Sequence, residues 1–384
     1  MKKTTLLVTF AALALAAGCS KKDKEAKKAP PVTPTPTAPT PTPTPPPAPP
    51  KPVTLSGVDL AKRFLDCHGY FSASDKVKFK DCYAADATSR FADSMMPEAK
   101  GVDAIVTGAF DFHAAFPDGK TSPQLVLVNG RNVASAVLFT GTNSAPMKGM
   151  GGEMPASNKK VGFTMLHMAT FDDANRIVEE WWVNDDNTMA SQLGMMPKEA
   201  PPARPAVEKG LDQPIIVIAN DSDAEKANLA GYQKANEQFN AHDLKAMMAD
   251  FAPDAIESDQ GAPADVTGAA EIEKGTKMFL AGFPDGKITT LKAWAAGEYV
   301  VSASTFSGTN TGNMGKMKKT GKPVSMTVGE IVKLDQGKVK QLWRFYNGHA
   351  MAVQLGWAPD PSKMMPGSGS GSAAAGSAAG SATK

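Results

Sequence analysis

The chain has 384 residues, room for two domains of ordinary size plus tails. Its 41 basic and 39 acidic residues give a formal net charge of +2, so there is no electrostatic footprint for nucleic acid. Only three cysteines and five histidines are present, and their spacing supports no metal cluster.

Met1-Lys2-Lys3 is a basic start, followed by an apolar run from Leu6 to Ala17. That run is shorter than the ~20 residues needed to cross a bilayer and suits the core of a signal peptide. It ends in Leu15-Ala-Ala-Gly-Cys19, which resembles a bacterial lipobox. Residues 1–18 are therefore expected to be a lipoprotein signal peptide, with lipid on Cys19 anchoring the protein to a membrane of the bacterial cell envelope. Ser20 stands where a lipoprotein retained in the inner membrane typically has Asp, which favours the outer membrane. An ordinary cleaved signal with an incidental cysteine is the alternative. Residues 19–53 form a linker that collapses to Pro, Thr and Ala, a semi-rigid polyproline spacer.

Residues 54–198 read as a first globular domain. Val58, Ala61, Phe64, Leu65 and His68 recur at helical spacing. Ser74-Asp75 can cap a second helix carrying Val77, Phe79 and Tyr83, and Gly101 opens a third with Ile105, Phe112 and Phe116. Phe116-Pro-Asp-Gly119 turns the chain. Four strand-like runs follow, at 124–128, 133–142, 161–171 and 176–185, with short turns that suit antiparallel hairpins. Cys67 and Cys82 allow one disulfide, two buried thiols or a metal pair; they flank the turn at 70–74 almost symmetrically, which favours the bridge.

Residues 199–221 are a proline-bearing linker with one apolar run, Ile215 to Ala219, a candidate strand on a neighbouring sheet. Residues 222–360 then repeat the first domain. Phe71-Ser-Ala-Ser-Asp75 returns as Phe239-Asn-Ala-His-Asp243, Phe116-Pro-Asp-Gly119 as Phe283-Pro-Asp-Gly286, and Gly141-Thr-Asn143 as Gly308-Thr-Asn310. Trp181 lines up with Trp343, Asp185 with Asn347, and Gln192-Leu-Gly194 with Gln354-Leu-Gly356. The copies differ chiefly in the hairpin after Gly-Thr-Asn, where Met147, Met150, Met154, Met314 and Met317 cluster. Methionine there could bind Cu(I), but in glycine-rich loops it is more often adaptable apolar surface. Residues 361–384 are a Gly/Ser/Ala-rich tail read as disordered.

Three helices, a Phe-Pro-Asp-Gly turn and a four-strand meander ending in Trp-x3-Asp (Trp-x3-Asn in the second copy) and Gln-Leu-Gly, in the same order twice, resemble the SnoaL-like polyketide (ester) cyclase family of the nuclear-transport-factor-2-like superfamily. The resemblance implies an α+β fold: two cone-shaped domains, each with three helices packed on a curved antiparallel sheet of about four strands. It also implies a cyclase- or isomerase-like activity, in which an aspartate on the last strand works as general acid/base on an enolisable substrate without metal or cofactor.

Asp185 stands at that aspartate's position. Strand residues i and i+4 share a face, so Trp181, Val183 and Asp185 point together. If that face lines the cone, burial raises the carboxyl pKa toward what a general base needs; if the strand end is exposed, Asp185 only starts a turn. Family cyclases often carry His after Gly-Thr, where this chain has Asn143 and Asn310, and the second aspartate is replaced by Asn347. The second domain is therefore expected to lack that chemistry, with Trp343, Phe345, Asn347 and His349 forming a mild ligand-facing wall. His167 and its counterpart Glu330 share inner faces with apolar neighbours such as Phe163, as ligand contacts or as satisfied core groups.

Two functions follow as expectations. The first is a tethered module that binds a small apolar ligand or an envelope protein; the second is an enzyme acting through Asp185, with the second domain degenerate. Cones of this superfamily commonly dimerise through their sheets, so the two domains are also expected to pair as an internal pseudo-dimer, with Trp182 and Tyr346 on the paired faces.

Overall fold

A computed structural model describes residues 55–359 apart from 95, 150, 151 and 197–201. The expected signal peptide, Cys19, the Pro/Thr linker and the C-terminal tail lie outside the described residues. Among the described residues no helix is long and apolar enough to cross a membrane.

The first half contains α1 (Gly57–Ser72), α2 (Lys76–Lys80), β1 (Tyr83–Phe91), β2 (Ala99–Lys100), α3 (Val102–Ala115), β3 (Lys120–Asn129), β4 (Asn132–Thr142), the small hairpin β5 (Met147–Gly149) and β6 (Gly152–Met154), β7 (Lys160–Phe171), β8 (Ile177–Val183) and α4 (Asp186–Gln192). The linker contributes β9 (Ile215–Ile218). The second half contains α5 (Asp223–Asn240), α6 (Leu244–Ala249), β10 (Phe251–Asp259), β11 (Val266–Thr267), α7 (Ala269–Gly282), β12 (Lys287–Ala296), β13 (Tyr299–Thr309), β14 (Pro323–Asp335), β15 (Lys338–Phe345) and α8 (Gly348–Leu355). Both halves belong to one compact unit.

Local chemistry sets the boundaries. The Ser56 hydroxyl caps α1 by accepting from Asp59 N–H, and Asp75 caps α2 by accepting from Lys78 N–H. Ser222 and Glu225 form a capping box on α5. Gly101 and Gly268 open α3 and α7 with φ of 83° and 97°, a region closed to most side chains.

The sheets run in the order β2-β1-β8-β7-β4-β3-β9 and β11-β10-β15-β14-β13-β12. They are mixed rather than purely antiparallel, because β1 and β10 run parallel to β8 and β15. This corrects the expectation of about four antiparallel strands. Tyr83, expected at the end of a helix, instead begins β1. Tyr83-Ala-Ala-Asp-Ala87 is alanine-rich and reads as helix, and its pairing with β8 shifts register between Tyr83 and Thr88, so no clean alternation marks the strand. The run 215–218 pairs parallel to β3 as β9.

The repeated motifs are fasteners. Thr142 donates its N–H and hydroxyl to the Asp118 carboxylate at 2.6 and 2.8 Å, tying Phe-Pro-Asp-Gly to Gly-Thr, and Thr309 N–H donates to Asp285 in the same way. Gln192 and Gln354 each exchange two hydrogen bonds with a backbone amide group, Gly162 on β7 and Ser325 on β14, holding the terminal helices.

The two sheets share one apolar layer. Leu166, Met168, Trp181 and Val183 pack in a cluster with Val301, Ile331 and Phe345. Trp181 is flanked by Arg90 at 3.8 Å and by Lys292, from the other half, at 4.8 Å. Lys292 also pairs with Glu179, and Asn129 donates to the Ala295 carbonyl at 2.8 Å. The contacting faces are thus those of Trp181 and Phe345, not of Trp182 and Tyr346.

Candidate functional site

The last strand has the opposite phase to the one expected. His167 pairs with Trp182, and Met168 with Trp181. A one-residue slip exchanges every side chain between faces, so Trp181 and Val183 point at the other half while Glu180 and Trp182 enter the first cone. The same holds in β15: Trp343 and Phe345 join the shared layer, whereas Leu342, Arg344 and Tyr346 face the second cone.

Asp185 is accordingly not on a cone wall. It is the N-cap of α4, 4% exposed, at the seam between the halves. Its Oδ1 accepts from the N–H groups of Asn187 and of Gly348 across the seam, and its Oδ2 accepts from the N–H and hydroxyl of Thr188. Burial pushes its pKa up, against the pull of those donors. Asn347 caps α8, accepting from Ala350 N–H and donating to Asp186 at 2.7 Å, and His349 Nδ1 meets Asn187 Oδ1 at 3.2 Å. Both lie at the seam rather than on an inner wall. Asn143 donates to the carbonyls of Ala115 and Ala145 and accepts from Ser157 N–H; Asn310 repeats this with Gly282, Gly312 and Thr320. Their polar atoms are taken up by loop backbone.

The first cone is filled. Phe64, Phe139, Phe163 and Phe171 pack in its core beside the Cys67–Cys82 disulfide, whose Cα atoms lie 6.0 Å apart. A buried polar chain runs through it. His68 Nε2 meets His167 Nδ1 at 3.2 Å, His167 Nε2 meets Glu180 at 2.9 Å, and the Tyr83 hydroxyl donates to Glu180 at 3.1 Å. The Trp182 ring stacks on His167 with centroids 3.8 Å apart. Burial, then His167, holds the His68 pKa well down; burial, then Glu180, pushes Tyr83 well up. For Glu180 burial works upward, but the hydrogen bond and charge of His167 keep the carboxyl below its ordinary value. The chain is closed and satisfied, so His167 and Phe163 serve here as core.

The second cone is hollow, with a cavity of about 440 Å³. Its wall carries Phe239, Phe279, Phe306, Met326 and Val328. At equivalent positions Trp182 has become Arg344, Phe163 has become Met326 and Phe171 has become Leu334, so ring volume is missing. A charged set takes its place. Arg344 Nε donates to Glu330 at 2.9 Å and its Nη1 to Glu257. The Tyr232 hydroxyl donates to the other Glu330 oxygen at 2.9 Å and lies 2.6 Å from the Ser302 hydroxyl. Burial works against the Arg344 charge, but Glu257, Glu330 and Asp259 hold its pKa above the ordinary value. Burial pushes Asp259 up to about 6, against Arg344 and the Gly261 N–H. The Asp259 charge, then burial, pushes Tyr346 well up.

Of the residues expected to face a ligand, only Glu330 lines this cavity. Arg344, Asp259, Glu257, Tyr232 and Tyr346 were missed. The signal available was the change of Trp182 to Arg344 opposite a change of His167 to Glu330, two adjacent inner-face positions changing into an ion pair.

With fold and site described, the family is plain. The family model for SnoaL-like polyketide cyclase matches residues 60–193 and 230–355, and the chain belongs to that family as a tandem of two domains. Among solved structures it is similar to IdmH from Streptomyces antibioticus, at 26% identity over 35% of this chain and 98% of that one, with a TM-score of 0.31. AclR from Streptomyces galilaeus shares 24% identity over 35% of this chain and 85% of its own, with a TM-score of 0.33. TsrD from Streptomyces laurentii shares 20% over 34% and 97%, with a TM-score of 0.31. No curated protein matches the chain.

Proposed function

We propose that this protein binds a small, largely apolar ligand in the second cone, and that the first cone is its structural partner, joined to it as an internal pseudo-dimer. One observation carries the reading: the second copy holds a cavity in the range of small-molecule sites, about 300–1,000 Å³, with polar groups gathered on an otherwise apolar wall. Its methionines, among them Met247, Met314 and Met326, suit a wall that adapts to its occupant. The signal-like N-terminus and Cys19 extend the proposal to a lipid-anchored protein of the cell envelope; N-terminal mass spectrometry of the mature chain tests that part, with an unmodified Cys19 refuting it.

The acid–base alternative through Asp185 draws on family membership. It requires a substrate at the seam, where both carboxylate oxygens already accept two hydrogen bonds each. The ligand reading is tested by titrating the full chain with N-phenyl-1-naphthylamine, a neutral fluorescent probe. Saturable binding is expected, and it should be lost in Val328→Trp, which fills the hollow, while cooperative unfolding is kept. A wild-type chain that shows no saturable binding refutes the reading.

A further inference from the structure

The charges around the cavity do not balance. Its wall carries Asp250, Glu257, Asp259, Glu271 and Glu330 against Lys234 and Arg344. Lys234 pairs with Asp250 at 3.5 Å near the rim, and Glu271 pairs with Lys274 at 3.3 Å on the exposed helix face. Deeper in, one guanidinium serves three carboxylates. Arg344 is fixed between Glu330 and Glu257, and Asp259 is left in excess. Excess charge in an apolar site is costly unless something of opposite sign neutralises it. Burial is what pushes the Asp259 carboxyl up, opposed by Arg344, with Glu257 adding a smaller push.

Aromatic rings on the wall, Tyr232, Phe239 and Tyr346 among them, also favour a cation through their faces.

We infer that the ligand of the second cone is a protonated amine on an apolar body, its ammonium set against Asp259 and Glu330 and its body among the phenylalanine and methionine side chains. This rests on the cone being a binding site, and the test separates the two claims. Decylamine, decanol and decanoate, identical but for the head group, compete against N-phenyl-1-naphthylamine on the full chain at neutral pH. The amine is expected to displace the probe at a concentration about 10-fold lower than the alcohol, corresponding to about 1.4 kcal/mol; decanoate should be weakest. The paired variant Asp259→Asn with Glu330→Gln should still bind the probe and should lose the preference for amine over alcohol. Equal displacement by all three, or a preference for decanoate, overturns the cationic ligand while leaving the binding site standing. A wild-type preference that persists unchanged in the paired variant also overturns it. Failure of the probe itself to bind removes the site and this inference together.

Discussion

The two cones share a backbone plan and differ in what fills them. In the first, Trp182 lies over His167, and Phe91 stacks on Trp182 at 5.9 Å. In the second, the same three positions are Arg344, Glu330 and Asp259. Three aromatic groups have become three charges, and a packed core has become a cavity. The fasteners are the same in both: Asp118 and Asp285, Asn143 and Asn310, Gln192 and Gln354 make matching bonds. What defines this fold is therefore shared, and what turns a packed core into a cavity lies in inner-face side chains. Duplication leaves one copy to supply the sheet against which the other packs, so the second core can give up volume.

That contrast can be broken in several ways. Phe71 and Phe239 occupy equivalent positions and are equally buried, at 7% and 8% exposure. Phe71→Ala should cost about 3–5 kcal/mol in urea unfolding, because a filled core cannot relax around the gap. Phe239→Ala should cost at least about 1 kcal/mol less, since its ring already borders empty space. Equal losses would mean that the cones are equally packed. Replacing both Cys67 and Cys82 by Ala should destabilise the protein by about 3 kcal/mol and leave probe binding unchanged, because the bridge lies wholly in the first cone. Loss of binding in that variant would place the ligand in the wrong half.

The pH dependence of stability sharpens the comparison on the other side. The Asp259 carboxyl takes up its proton at about 6 in the folded chain and near 3.8 when unfolded. Its contribution is thus fully present below about pH 4 and is lost as the pH rises through about 6. Asp259→Asn should flatten unfolding free energy across that window, and an unaltered slope would show that Asp259 does not titrate there. The smallest effect is expected at the seam. Asp185→Ala removes a helix cap and the bond from Gly348, at about 1–2 kcal/mol, with probe affinity unchanged.

The sequence made the repeat, the helix caps and the inner face of β7 readable, because Gly, Pro and capping residues act locally and Phe163, Met165 and His167 alternate cleanly. It misled at β8. Glu179-Glu180-Trp181-Trp182 offers no polar/apolar contrast, since the face turned away from the first cone is buried against another sheet rather than solvated. With both faces buried, alternation loses its phase, and one slip moved Trp181, Val183 and Asp185 onto the wrong wall. The candidate site was hidden for a related reason. Family motifs pointed to Asp185 and the Gly-Thr-Asn loops, which are fasteners, whereas Arg344 and Asp259 sit at positions no motif marks. Their meaning depends on cross-strand pairing, Glu330 with Arg344, which requires register.

The most direct test is residue-resolved NMR of the labelled chain titrated with N-phenyl-1-naphthylamine. The account predicts shifts concentrated at Phe279, Met326, Val328 and Tyr346, with Phe64, His167 and Trp182 unmoved. Shifts centred on the first cone, or on Asp185 at the seam, would contradict it.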